Sequence, residues 1–138
     1  ITEVMSEVLL SQRPDWGLER IQTSGLMAMV LPEVEALVGF HRSSRHHHKD
    51  VWQHTCQVVA QAVPRFTVRW AALLHDVGKV YTRSYGPKGK VHFFGHDDVG
   101  AYLFEGIAAR LCFDDESAAT IRALIQHHLR PGLHRWGR

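Results

Sequence analysis

A histidine–aspartate pair lies inside the most apolar part of this sequence. His75 and Asp76 occur in the stretch WAALLHDVGK. The spacing of its apolar residues predicts a packed helix that begins near Phe66 and ends at Gly78. A charged pair inside a packed helix is unfavourable unless it meets a partner. The pair therefore predicts a functional site at the end of a buried helix, against the alternative of an ordinary capped helix end.

Further histidines recur at the inner edges and ends of other predicted helices. His54 borders the apolar face of a helix that starts near Lys49, His96 precedes a second helix, and His127 and His128 follow a third. Each alone is typical of an ordinary core or surface histidine. Together with the buried pair they form a series of imidazole and carboxylate donors. Such donors favour divalent ions such as Fe, Mn, Mg, Ni, Co or Zn, and the absence of thiolate argues against a structural zinc site.

Two further features lie shortly before His54 in the sequence. The run His46–His48 lies inside the chain, which argues against a terminal purification tag, and we expect it to decorate a loop that contacts phosphate. Asp50 lies one turn before His54, so the two side chains can serve one cluster. Whether Asp50 is itself a ligand, or supports one from outside, is left open.

The remaining pattern predicts an all-α fold, a helical bundle with one short hairpin or ordered loop near residues 80–94. Helices are predicted over 2–11, from Asp15 as N-cap to Thr23, on both sides of a break at Leu31-Pro32, from about Asp97 to Leu111, and after Asp114 as N-cap. The turn signal GPKG at 86–89 separates the two arms of the hairpin. We expect an N-terminal helical lead-in over 1–45 and a metal-binding helical domain over 46–138.

Composition limits the class of protein. The 138 residues suffice for one domain with a hydrophobic core, and a formal net charge of +2 is too small to indicate a nucleic-acid partner by itself. Two cysteines without CxxC spacing fit a reducing, cytoplasmic setting. No apolar run reaches membrane-spanning length, so no membrane partner is expected.

The series H…HD…H…HH resembles the HD superfamily of metal-dependent phosphohydrolases. The stretches RHHHKDVWQHT, RWAALLHDVGK, GKVHFFGHDDVGA and IQHHLRP are similar to the HD region of bacterial CCA-adding tRNA nucleotidyltransferases and related poly(A)-polymerase-like enzymes. The resemblance implies an HD-domain bundle that hydrolyses nucleotide or RNA phosphoesters, with tRNA as a candidate partner and no DNA specificity. It implies two divalent ions held by His54, His75, Asp76, His96, His127 and His128. Asp76 would bridge the ions, and Lys79 would neutralise the phosphate.

The sequence departs from the pattern of this family in two respects. The Gly-Ser and paired-Asp motifs of the nucleotidyltransferase head do not occur, so we expect a fragment of a longer protein that cannot itself add nucleotides. HD proteins close the metal site with a later Asp, but the residues after His128, LRPGLHRWGR, contain no carboxylate. The closing Asp is therefore expected beyond Arg138, or the site is incomplete.

Three functions remain open at this point. The first is the phosphohydrolase, and the second is a non-catalytic helical module that supports tRNA and has a weak or empty metal site. The third is a di-iron oxygenase of the same superfamily.

Basic residues could follow an RNA backbone under the first two functions. They are Arg83, Lys88 and Lys90 on the hairpin and Arg130 and Arg135 near the end of the sequence, where Trp136 could stack on a base. The alternatives are a solvated surface tail for these residues and, for Lys79, a cation at a helix C-terminus.

Overall fold

The computed structural model describes residues 1–41 and 50–129. In these ranges the chain forms eight α-helices: α1 (Thr2–Leu10), α2 (Pro14–Thr23), α3 (Leu26–Val30), α4 (Pro32–Glu35), α5 (Val51–Gln61), α6 (Phe66–Leu74), α7 (His96–Arg110) and α8 (Asp115–Gln126). Two 3₁₀ turns span Val77–Tyr81 and Pro87–Gly89, and two strands, β1 (Ser84–Tyr85) and β2 (Val91–His92), form an antiparallel hairpin. The prediction of an all-α bundle with one short hairpin is confirmed. No helix of the described ranges is long and apolar enough to cross a membrane.

A capping side chain or a proline marks four of the eight helix starts in the described ranges. Asp114 caps α8 as predicted, because its carboxylate accepts a hydrogen bond from the Ser117 backbone N–H at 2.9 Å. Proline occupies the first position of α2 and of α4, where its missing N–H needs no partner. The prediction of Asp15 as the N-cap of α2 is wrong, because Arg13 holds that position and the helix starts at Pro14.

Asp50 begins α5 through a capping box. Its carboxylate accepts a hydrogen bond from the Gln53 backbone N–H at 2.7 Å, and the Gln53 side chain returns one to the Asp50 backbone N–H at 3.1 Å. The second carboxylate oxygen accepts a hydrogen bond from the Gly39 backbone N–H at 2.6 Å. Both oxygens are thus engaged with backbone, so Asp50 has a structural role and joins two parts of the chain.

The end of α6 differs from the prediction. The helix stops at Leu74 rather than at Gly78, and the chain continues through His75 and Asp76 into the 3₁₀ turn Val77–Tyr81. The cause is tertiary, because Gly78 lies directly against the N-terminus of α7. A Cβ at Gly78 would lie 2.1 Å from the carbonyl oxygen of His96. Only glycine permits this approach, which brings the end of α6 and the start of α7 together.

One cluster of buried apolar side chains extends from Met5 in α1 to Ile125 in α8. Its largest fully buried member is Trp70, which donates its indole N–H to the Ser6 hydroxyl at 3.0 Å. Helices α1 and α2 therefore pack on the same core as α5 and α6. The predicted division between residues 45 and 46 lies outside the described residues and stays a prediction.

Arg69 joins the ends of two helices inside this core. Its side chain is buried, and its guanidinium donates to the carbonyl oxygens of Leu9 and Ser11 at the end of α1 and of Ala62 at the end of α5. Helix C-termini leave carbonyl groups without intrahelical partners and carry a partial negative charge. The arginine satisfies both needs, and so it fixes α5 relative to α1 and α6.

Candidate metal centre

Five of the predicted site residues meet in one place. The donor atoms of His54, His75 and Asp76 lie within 4.8 Å of one another, and so do those of Asp76, His96 and His128. The side chains come from α5, the end of α6, the start of α7 and the residues after α8. Asp76 belongs to both groups. The arrangement could therefore hold two ions on either side of one carboxylate.

The histidine rings are oriented by the backbone. In each of three cases Nδ1 lies at hydrogen-bonding distance from the carbonyl oxygen three residues earlier: His75 on Ala72 at 2.6 Å, His96 on Phe93 at 3.0 Å and His128 on Ile125 at 2.6 Å. Because a carbonyl oxygen only accepts, each Nδ1 carries the proton. The lone pair of a neutral ring is then on Nε2, which is the arrangement typical of metal-binding histidines.

The Nε2 atoms converge on Asp76 and on each other. His96 Nε2 lies 3.1 Å from His128 Nε2 and 3.4 Å from Asp76 Oδ1, while His75 Nε2 lies 3.2 Å from Asp76 Oδ2. If the three rings were neutral, the lone pairs on their Nε2 atoms would point at one another and at the Asp76 oxygens. A proton or a cation between them removes the repulsion. Among the described residues Asp76 Oδ2 also receives no hydrogen bond of good geometry, although it is buried. The donor set therefore fits a divalent ion.

The electrostatics of the site depend on burial and on mutual charge. Burial opposes ionisation of Asp76, but the neighbouring His75, His96 and Lys79 outweigh it and hold the pKa of the carboxyl well below its usual range. Burial likewise opposes protonation of His75, but the Asp76 carboxylate raises the pKa of this ring overall. Burial lowers the pKa of His128 to about 4, so this ring stays neutral at physiological pH. A metal ion would replace the proton that His75 otherwise retains.

Lys79 lies beside the same carboxylate. Its ammonium group is 3.4 Å from Asp76 Oδ1 and 5.3 Å from the centre of the Phe93 ring, and its side chain is mostly buried. Lys79 therefore directs its charge into the site and is not a solvated cation at a helix end. Lys79 and all five donors line a cavity of about 500 Å³, together with Val58 and Leu129.

The structure does not bring every predicted residue to this cavity. His127 lines a separate, mostly apolar depression on α8 with Ala119, Thr120, Ala123 and Leu124, and it belongs to neither group of donors among the described residues. Asp50 is engaged as a helix cap. His46–His48, Arg130, Arg135 and Trp136 lie outside the described residues.

Two elements of the site were not anticipated from the sequence. One is the set of backbone carbonyls that fix the rings, and the other is Gly78, whose contact with α7 places His96 beside Asp76. A glycine two residues after a buried acid was the available signal for the second element. The signal for the first element was the position of each histidine at a helix boundary.

Comparison with known proteins gives one family and a consistent set of relatives. A model of the HD domain matches residues 44–136. The chain is 34% identical to a CC-adding tRNA nucleotidyltransferase of Thermus thermophilus, over 94% of this chain and 31% of that protein. It is 34% identical to an A-adding tRNA nucleotidyltransferase of Deinococcus radiodurans (82% of this chain, 27% of that protein) and 30% identical to a multifunctional CCA protein of Pseudomonas fluorescens (90% and 31%). The chain thus spans about a third of the length of these relatives.

Proposed function

The chain belongs to the HD domain family, and from that premise we propose that it is a metal-dependent phosphohydrolase acting on nucleotide or RNA phosphoesters. One observation carries the proposal: a single buried carboxylate, Asp76, is shared by two groups of histidine donors. Sites with two metal ions recur in enzymes that cleave phosphoesters, because the ions act on both the attacking and the leaving oxygen.

The proposed ligands divide around Asp76. His54 and His75 would hold one ion, and His96 and His128 would hold the other, with Asp76 contributing to both. When bound, divalent ions supply a lowered pKa for water and positive charge for the phosphoryl oxygens. Iron, manganese, magnesium, nickel, cobalt and zinc all accept imidazole or carboxylate ligands, and the donor set does not select one of them.

The protein supplies the remaining features of the site. The carbonyls of Ala72, Phe93 and Ile125 hold the rings, so the donors need no rearrangement when an ion enters. Lys79 adds a positive charge at the same cavity, where it would attract a phosphate and relieve part of its charge during attack. His127 is proposed to lie outside the ligand set, which reduces the six predicted ligands to five.

A second function is favoured by the relatives. Two of the proteins named above are tRNA nucleotidyltransferases and the third is a multifunctional CCA protein, and this chain covers about a third of each. The chain would then be part of a cytoplasmic tRNA nucleotidyltransferase-like protein, in which it supports the tRNA as a non-catalytic module. Under this alternative the metal site is weak or empty.

Two neighbouring histidines provide the test of the phosphohydrolase. We expect His128→Ala to lower both metal content and hydrolysis of generic phosphodiesters and 2′,3′-cyclic nucleotides, because it removes a ligand. His127→Ala removes the same group from the adjacent position and should change neither. His75→Ala should abolish both. Hydrolysis that persists without His75 would contradict the proposal.

The same measurements separate the three functions. Bound metal with hydrolysis supports the phosphohydrolase. A chain that binds tRNA but neither metal nor phosphoester is the non-catalytic module, and two bound irons with oxygen-dependent turnover indicate the oxygenase. Each assay is run on the 138-residue chain and on a longer form that extends past Arg138. The comparison shows whether a later carboxylate is required.

A further inference from the structure

The hairpin beside the metal centre carries an unbalanced positive charge. Between Asp76 and Asp97 the chain has no acidic residue and four cations, Lys79, Arg83, Lys88 and Lys90. Lys79 is directed into the cavity, whereas the other three are exposed. Arg83 lies 4.3 Å from the centre of the Phe40 ring and donates to the His41 carbonyl, so it secures the hairpin to the body of the protein. The two lysines of the turn make no such contact with the described residues.

An aromatic pair stands next to these lysines. The rings of His92 and Phe94 are stacked, with centroids 4.7 Å apart and planes inclined by 14°. A Cβ at Gly86 would lie 2.9 Å from His92 Nε2, so the imidazole rests against the backbone of the turn. Phe94 is 74% exposed although its side chain is apolar. The pair thus forms a supported, flat surface that faces solvent.

The residue between the two rings connects this surface to the metal centre. Phe93 packs against Phe40 and Lys79, and its carbonyl accepts the hydrogen bond that orients His96. Phe94 and His96 are two residues apart, so their Cα atoms are separated by at most about 7 Å. A group stacked on Phe94 would therefore lie close to the donors of the second proposed ion.

We propose that this hairpin binds the single-stranded RNA that carries the scissile phosphoester, an inference that rests on the proposed function. The Phe94 ring provides the stacking surface for one base, and Lys88 and Lys90 pair with backbone phosphates. Exposed aromatic rings interleaved with cations are the combination that binds single strands, because every base has a flat face and every linkage a charge. The first exposed acidic residue after the hairpin is Asp98. Its carboxylate accepts a hydrogen bond from Gln126 and is directed toward α8.

Binding of a short, fluorescently labelled oligoadenylate RNA in metal-free buffer with chelator tests the proposal apart from hydrolysis. Phe94→Ala should weaken binding about 5-fold to 150-fold, the range that loss of a base-stacking ring gives, and Phe94→Trp should restore it. Tyr102→Ala is the matched control, because Tyr102 is an aromatic residue of α7, outside the hairpin, and is 70% exposed. Polyphosphate, which has charge but no bases, should bind the Phe94→Ala variant as well as the parent chain.

The lysines are tested by the salt dependence of the same binding. Lys88→Ala with Lys90→Ala should lower the slope of log affinity against log salt by about 1.4, because each phosphate contact on a single strand contributes about 0.7. Arg20→Ala with Arg65→Ala removes two exposed cations elsewhere and should leave the slope unchanged.

Equal effects of Phe94→Ala and Tyr102→Ala would overturn the proposal, as would an unchanged slope or no binding of RNA at all. A chain that binds RNA through Phe94 but hydrolyses no phosphoester would contradict the proposed function, while the hairpin would still be shown to bind single-stranded RNA.

Discussion

Gly78→Ala is expected to damage the metal centre without touching any ligand. Gly78 packs its backbone against the first turn of α7, where a Cβ would lie 2.1 Å from His96 O and 2.8 Å from Gly100 N. Both atoms belong to the backbone, so no change of rotamer relieves the overlap. The start of α7 would have to move from 2.1 Å to the 3.4 Å at which ordinary contact begins, a shift of about 1.3 Å.

The size of this shift gives the expected effects. Forcing an extra methyl group into a packed interior typically destabilises a protein by about 1–3 kcal/mol, and a purely backbone contact belongs at the upper end, about 2–3 kcal/mol. The shift also moves His96 away from Asp76. In the parent chain His96 Nε2 lies 3.4 Å from Asp76 Oδ1. Metal–ligand distances tolerate about 0.2 Å. We therefore expect the affinity for Mn²⁺ to fall about 10-fold to 100-fold, the range found when supporting contacts of a metal site are lost.

Gly106→Ala supplies the control, since Gly106 is in the same helix and a Cβ there would meet nothing within 4 Å. Alanine is the better helix former, so this change should stabilise the protein by up to about 1 kcal/mol. Urea unfolding gives the free energies, and isothermal titration with Mn²⁺ gives the affinities. A Gly78→Ala variant with parental stability and parental Mn²⁺ affinity would refute the role assigned to this close approach.

Three further outcomes are expected. Arg69→Met should lower the free energy of unfolding by about 3 kcal/mol, because it leaves buried helix-end carbonyls unpaired; a loss as small as that of the exposed Arg65→Met would contradict this. Asp50→Ala should lose about 1–2 kcal/mol while Asp50→Ser loses less, and Mn²⁺ affinity should be unchanged in both; a loss of affinity would make Asp50 a ligand. Hydrogen bonds from Ser117 hold the pKa of Asp114 below 3.8, so the stability it contributes is present above that value and is lost as the pH falls through the lower, folded-state pKa. Asp114→Ser has a cap that does not titrate, so acid unfolding of the parent chain should be the steeper of the two; identical curves would exclude the effect.

Features that depend on neighbouring residues in the sequence were predictable. The Asp114 cap and the break at Leu31-Pro32 follow from local chemistry, and the structure has both. A cluster of polar side chains around His75 and Asp76 was predictable because a charge within an apolar helix requires a partner. The structure supplies the partners expected from the histidine spacing, namely His54, His96 and His128.

The errors arise where tertiary contacts or helix ends decide the outcome. The end of α6 depends on α7, which begins 22 residues further along the chain and leaves no local mark except Gly78. Helical spacing does not separate the roles of His127 and His128, because α8 ends at Gln126 and the 100° rotation per residue no longer applies beyond it. Asp50 has the right spacing for the cluster, but the backbone N–H groups of Gln53 and Gly39 compete for its carboxylate.

The most direct test of the centre is anomalous scattering from crystals of the chain grown with Mn²⁺. The proposed arrangement predicts two peaks about 3.5–4 Å apart on either side of Asp76, one beside His54 and His75 and the other beside His96 and His128. No peak at coordination distance from Asp76, or a single ion held by other residues such as His127, would contradict it.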